Sequence, residues 1–182
     1  PTHYQFFYAD EPYQPPAMDE TIRRYGNLVA PPGERFCYAN LGYGLLDYVI
    51  ARVSGRSFAD FMRAEVFAPL GMTRASIGVG PGLEKYQAAR YNAAGERLPL
   101  YGFDHPGASA ACCSAHDLVR FGMFHLKAHL ADQKAIIPDA SIDTMQVPTV
   151  DVGEDVGYGI GWRVLARTLG GYRMVEHGGS MG

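Results

Sequence analysis

The sequence predicts an α+β fold, a mostly helical body followed by an antiparallel strand pair, and three observations carry that expectation. Across residues 41–53 the apolar side chains Leu41, Leu45, Leu46, Val49, Ile50 and Val53 recur at helical spacing. Ser57 and Ser114 each stand three residues before an aspartate, Asp60 and Asp117, ahead of apolar runs, which is the pattern of a capped helix N-terminus. Residues 158–165 and 172–177 read as two strands joined by a turn at Leu169-Gly170-Gly171. Helices segregated before a hairpin give an α+β arrangement.

Taken in order, residues 1–20 are rich in aromatic side chains and proline and suit an irregular segment laid over a core. Residues 21–28 predict one or two helical turns. Pro31-Pro32-Gly33 then forces a break, because proline removes a donor and glycine permits the turn. The helix over 41–53 ends at Ser54-Gly55. The helix opened by Ser57 carries Phe58, Phe61, Met62 and Val66, and Pro69-Leu70-Gly71 stops it. Residues 76–107, rich in Gly, Ala and Tyr, predict a long loop containing a short hairpin. Behind Ser114 come Leu118, Phe121, Phe124 and His125 on one helix, and residues 138–145 form another short one.

Composition excludes several classes. With 182 residues, 47% of them hydrophobic and 19% charged, the chain can bury a core as one domain. The net charge is -3 and the basic residues do not cluster beyond Arg23-Arg24, so no nucleic-acid surface is expected. The apolar stretches are all interrupted well short of a membrane span. Cys37, Cys112 and Cys113 form neither a zinc spacing nor a disulfide framework and read as small buried side chains. They leave the compartment open.

Two short constellations could carry chemistry. Tyr38-Ala39-Asn40 falls after a turn and at the start of a helix, where backbone donors are free. A tyrosine beside a cation can act as a general base, and an asparagine can hold a substrate carbonyl. His177-Gly178-Gly179 closes the second strand, and its glycines let a ligand lie against the backbone while the histidine offers a proton. Each has a plain structural reading as well, a packed ring with a helix start and an ordinary strand end.

Their joint order is what discriminates. The run from Pro32 through Tyr38-Ala39-Asn40 to Leu46 closely resembles the second-motif segment of class C β-lactamases and of the related esterases and D-alanyl carboxypeptidases. Ser54-Gly55-Arg56-Ser57, Pro69-Leu70-Gly71-Met72, the helix around Ser114 to Phe121, and Tyr158-Gly159-Ile160-Gly161-Trp162 resemble the family's later landmarks in matching order, and Glu176-His177-Gly178-Gly179 resembles its third motif. The resemblance, over residues 25–182, implies a β-lactamase/transpeptidase-like α+β fold of which this chain supplies the helical region and an antiparallel hairpin of the central sheet. It implies Tyr38 as the general base or its relay, and Asn40 as a contact to the substrate amide or the catalytic lysine. His177 would stand where β-lactamases usually carry lysine. Gly178, Gly179 and the backbone N–H of Ser180 would form the oxyanion side of the site. A small-molecule or peptide substrate is implied, with no metal and no cofactor; the oligomeric state is left open.

The sequence also departs from that family. Its nucleophile is the serine of a Ser-x-x-Lys motif, and here Lys85, Lys127 and Lys134 follow Gly82, Phe124 and Ala131 at that spacing. Residues 1–182 are therefore expected to be the central part of one such domain, truncated at both ends and inactive alone, with apolar surface left exposed. Histidine at 177 is mostly neutral at pH 7 when unperturbed, so anionic substrates should be held less firmly unless Arg163 or Arg173 supplies the charge. Three other readings stay open. Gly178-Gly179-Ser180-Met181-Gly182 matches the nucleophile elbow of an α/β-hydrolase, with Ser180 as nucleophile. His125 and His129, four apart on a helix, could share a metal, although solvated surface histidines fit better. A non-catalytic binding module retaining the cleft's walls is the alternative from a different class.

Overall fold

The computed structural model describes residues 7–168 and 170–179. In chain order its elements are β1 (Phe7–Tyr8), α1 (Met18–Tyr25), α2 (Asn40–Ser54), α3 (Phe58–Met62) running into a π-helical turn (Arg63–Phe67), β2 (Ser76–Ile77), a 3-10 turn (Glu84–Tyr86), β3 (Arg90–Tyr91) and β4 (Arg97–Leu98). There follow β5 (Tyr101–Gly102), α4 (Pro106–Ser109), β6 (Ala111–Cys112), α5 (Ala115–His125), α6 (Asp139–Met145), β7 (Val150–Gly153), β8 (Val156–Tyr158), β9 (Arg163–Thr168) and β10 (Tyr172–Glu176). The result is α+β, with the long helices in the first two thirds and an antiparallel sheet ordered β10-β9-β8-β7 at the end.

Local chemistry sets the helix ends. The Ser57 hydroxyl accepts the Asp60 N–H at 3.1 Å, and the Ser114 hydroxyl accepts the Asp117 N–H at 3.1 Å, as the spacing predicts. Helix α2 ends on Gly55 at φ 68°, whose N–H returns to the Ala51 carbonyl. In α1, Asp19 and Glu20 lie at the positive end of the helix dipole and Arg23 and Arg24 at the negative end, with Glu20 paired to both arginines.

Phe67, Leu70, Met72, Ala75, Phe124 and Ile142 form the apolar core, which ties the π-helical turn to α5 and α6. Each fully buried side chain of this size contributes about 1.5–3 kcal/mol. The chain enters that core through a tight turn at Gly71, where φ is 69° and an added Cβ would meet the Arg120 guanidinium at 2.3 Å. The same arginine donates from Nε to the Leu70 carbonyl at 2.8 Å and pairs with Asp132.

A second, polar centre joins α1, α2 and α4. The Thr21 hydroxyl donates to Asp104 Oδ2 at 2.7 Å, and Asp104 Oδ1 lies 2.5 Å from His105 Nδ1, with all three residues buried. Asp47 of α2 accepts the Gly107 N–H at 2.6 Å. Gly44 lets α2 come this close, since a Cβ there would sit 2.6 Å from that of His105.

Several expectations need correction. The first helix runs over Met18–Tyr25, earlier than residues 21–28, because its dipole-matched charges outweigh the apolar residues behind it. The strand expected over residues 158–165 is two strands: β8 ends at Tyr158, and a turn with Gly161 at φ 77° precedes β9, closed by the Gly159 N–H on the Trp162 carbonyl. The predicted hairpin is thereby part of a four-stranded sheet. The three cysteines are exposed rather than buried. His125 is buried rather than solvated, its ring packed between Phe121 and Trp162 at 4.4 and 5.0 Å. His129 turns to Asp139 instead, at 2.7 Å, and no metal-binding cluster occurs among the described residues. On α2 only Leu41 of the apolar series is buried, while Leu45, Leu46, Val49 and Val53 are exposed, Val53 to 84%. No described helix is long and apolar enough to cross a membrane.

Candidate active site

Tyr38 sits two residues before α2, on backbone that becomes extended at Ala39 (φ -144°, ψ 106°) and then turns helical at Asn40. No side chain caps this helix start, so its first N–H groups face the region in front of it. Across from it the edge strand β10 ends at Glu176 and delivers His177. The Tyr38 ring lies 6.1 Å from the His177 ring and 6.5 Å from that of Tyr158, and Tyr158 lies 6.4 Å from His177. Phe36 stacks on Tyr158 at 4.9 Å. Together with Tyr43 and Leu46 of α2, these side chains line a cleft of about 480 Å³.

His177 Nδ1 is 2.8 Å from the Gly178 carbonyl oxygen. A carbonyl only accepts, so Nδ1 carries the proton of this bond, and Nε2 is the acceptor when the ring is neutral. Burial first, and then the neighbouring Tyr38, push the Tyr158 phenol above its ordinary range, so it keeps its proton and acts as a donor. The cleft therefore combines a protonated phenol, an imidazole whose Nδ1–H is already engaged, and the exposed side chain of Tyr38.

Charge is handled next door. Tyr158, Arg163 and Glu176 occupy directly paired positions on β8, β9 and β10 and share one face of the sheet. Arg163 Nη1 donates to Glu176 Oε1 at 2.6 Å, which neutralises the cation that the sequence offered to anionic substrates. Arg173 donates to the Gln146 carbonyl. Arg163 is thus paired, and Arg173, whose partner is a neutral carbonyl, is not among the cleft's lining residues.

Of the residues singled out in the sequence, Tyr38 and His177 meet in one cleft. Asn40 stands at the first helical position, half-buried, and is not among the cleft's lining residues. Gly178 and Gly179 continue exposed beyond the strand end, and Ser180 lies outside the described residues. Phe36, Tyr43 and Tyr158 were missed. Tyr43 could have been found, since it lies three residues after Asn40 and so on the same helix face. Tyr158 reads from the sequence as a strand residue within a family landmark and not as a site residue, because its place beside Tyr38 depends on the sheet register.

The tyrosine before a helix start, set against the edge strand of an antiparallel sheet that ends in His-Gly-Gly, belongs to a chain whose solved structural neighbours share the β-lactamase-type fold. The β-lactamase family model matches residues 3–182, and the chain belongs to that family, whose members are serine hydrolases. The chain is 26% identical over 157 residues to a D-aminopeptidase of Gluconobacter oxydans, covering 82% of this chain and 28% of that protein. A Brucella anthropi D-aminopeptidase is 25% identical over 176 residues, covering 93% and 32%. The octameric penicillin-binding protein homologue of Pyrococcus abyssi superimposes with a TM-score of 0.72 at 24% identity, over 92% of this chain and 39% of that one. The D-alanine carboxypeptidase AmpC of Burkholderia cenocepacia gives a TM-score of 0.66 at 21% identity, over 80% and 42%. The chain thus spans about a third of the curated relatives' length and about two fifths of these structures.

Proposed function

We propose that residues 1–182 are the central part of a single serine hydrolase domain that cleaves amide or ester bonds through an acyl-enzyme. The observation that carries this reading is the convergence of Tyr38, Tyr158 and His177 within 6.1–6.5 Å of one another, where the start of α2 meets the end of β10. The nucleophile is supplied by a part of the domain outside these residues, because no serine here stands three positions before a lysine. The chain alone accordingly does not turn over substrate.

In this reading Tyr38 takes the proton of the attacking serine and passes it to the leaving group. Tyr158 and His177 position that proton with hydrogen bonds, Asn40 contacts the acyl amide or the lysine, and the backbone at Gly178, Gly179 and Ser180 stabilises the developing oxyanion. The aromatic lining and the Arg163–Glu176 pair favour uncharged acyl groups, such as those of small peptides or esters, over carboxylate-bearing β-lactams. The test is Tyr38→Phe in the full-length protein. Turnover should fall at least ~100-fold while the fold is retained. An unchanged rate removes Tyr38 from the proton-transfer role.

A further inference from the structure

A cavity of about 560 Å³ lies apart from the candidate site and shares no lining residue with it. Its walls combine Arg74, Arg90, Tyr86 and Leu83 with the adjacent thiols of Cys112 and Cys113. No aspartate or glutamate lines it. Arg74 lies over the Tyr86 ring at 4.9 Å, and Arg90 over the Tyr101 ring at 3.6 Å. Neither guanidinium forms an ion pair among the described residues, and Arg90 Nη1 is buried with no hydrogen-bond partner. Arg90 also lines an adjoining cavity that holds Asp10 and Glu84, so Arg74 carries most of the attraction for anions here and Arg90 adds to it. The Asp117 carboxylate is buried outside the cavity's lining and accepts the Arg74 backbone N–H at 2.6 Å.

We propose that this cavity is a thiol-modification site, in which Cys112 forms a mixed disulfide with an anionic low-molecular-weight disulfide whose carboxylates Arg74 and Arg90 recruit. Cys112 is exposed at the end of β6, its sulfur 3.8 Å from the Ala110 carbonyl oxygen. Cys113 is the poorer nucleophile, because burial and then Asp117 and Cys112 push its thiol upwards. The Cys112 proton leaves to solvent, and the thiolate attacks one sulfur of the bound disulfide. The bond from Cys112 to that sulfur forms as the ligand's own S–S bond breaks. The departing thiolate takes up a proton; the Cys112 sulfur is oxidised from -2 to -1 as the leaving sulfur is reduced from -1 to -2, so one disulfide replaces another and no further oxidant is needed.

The experiment exposes the full-length protein separately to glutathione disulfide, which is anionic, and to cystamine, which is cationic, and locates adducts by peptide mass spectrometry. Glutathione should appear first on Cys112, ahead of Cys113 and of Cys37 in the other cleft. The Arg74→Gln, Arg90→Gln double variant should slow that reaction about tenfold and leave the cystamine reaction no slower. If the double variant fails to fold, added salt serves instead: it should slow modification of the unaltered protein by glutathione disulfide and not by cystamine. First labelling at Cys37 or Cys113, an equal loss with both reagents, or no adduct at all would overturn the proposal.

Discussion

Arg163 reaches across the sheet to Glu176 and donates to its carboxylate at 2.6 Å, one residue before His177 enters the cleft. A lone arginine at that place would attract anionic substrates; a paired one offers little net field. The pair is half-exposed, so its own contribution to stability is small.

Glu176→Gln in the full-length protein frees this cation. KM for a carboxylate-bearing substrate should drop about three- to tenfold at low salt, and the gain should fade as salt is added. KM for a neutral ester should stay put. Equal changes for both substrates would show that the pair shapes the cleft rather than its charge.

His177→Lys places a permanent cation at the strand end itself. Binding of the same anionic substrate should improve, measured as KM with kcat followed separately. An unaltered KM would refute the view that charge at this position selects the substrate.

Gly71→Ala tests the turn that feeds the core. A side chain at φ 69° is strained, and its Cβ would displace the Arg120 guanidinium from the Leu70 carbonyl. The two effects together should cost about 2–3 kcal/mol in urea unfolding. A loss below about 0.5 kcal/mol would mean that Arg120 moves aside freely.

Asp47 gives a pH-dependent prediction. Burial raises its carboxyl above the usual range, opposed in part by the Gly107 N–H and by His105. The folded state then holds this proton more tightly than the unfolded chain. The resulting stability is full below the ordinary carboxylate value and lost as pH rises through the raised value. Asp47→Asn keeps an acceptor for Gly107 and removes the titration. Its urea midpoint should change less than the parent's between about pH 4 and pH 7. Identical slopes would place the effect on another group.

How far the sequence could be read depended on whether a feature was local. Ser57 and Ser114 were legible as caps because the bond each makes spans three residues. The polar centre of Thr21, Asp104 and His105 was not, since nothing near Thr21 marks a partner 83 residues away. The burial of His125 is hidden for the same reason: it is packed by Trp162, on the far side of three intervening elements. In the cleft, Tyr38 and His177 were legible through their motifs, whereas Tyr158 required knowing that β8 stops where it does. The exposure of Cys112 is likewise set beyond its neighbours in sequence: it lies on β6, which is exposed at both of its residues, and the general tendency of cysteine to be buried carries no sign of that.

The π-helical turn at Arg63–Phe67 closes with the Ala68 N–H on the Arg63 carbonyl, one residue wider than an α-turn. Removing a single residue there would leave a good helix behind, with no broken hydrogen bond to betray the change. Yet everything downstream would be turned by about 100°, the angle one residue spans on a helix. Phe67 and Leu70 would swing from the core towards solvent, and Gly71 would no longer meet Arg120. The wide turn acts as a phase adjuster between two faces, so a length change here should be far more damaging than any single side-chain exchange within it.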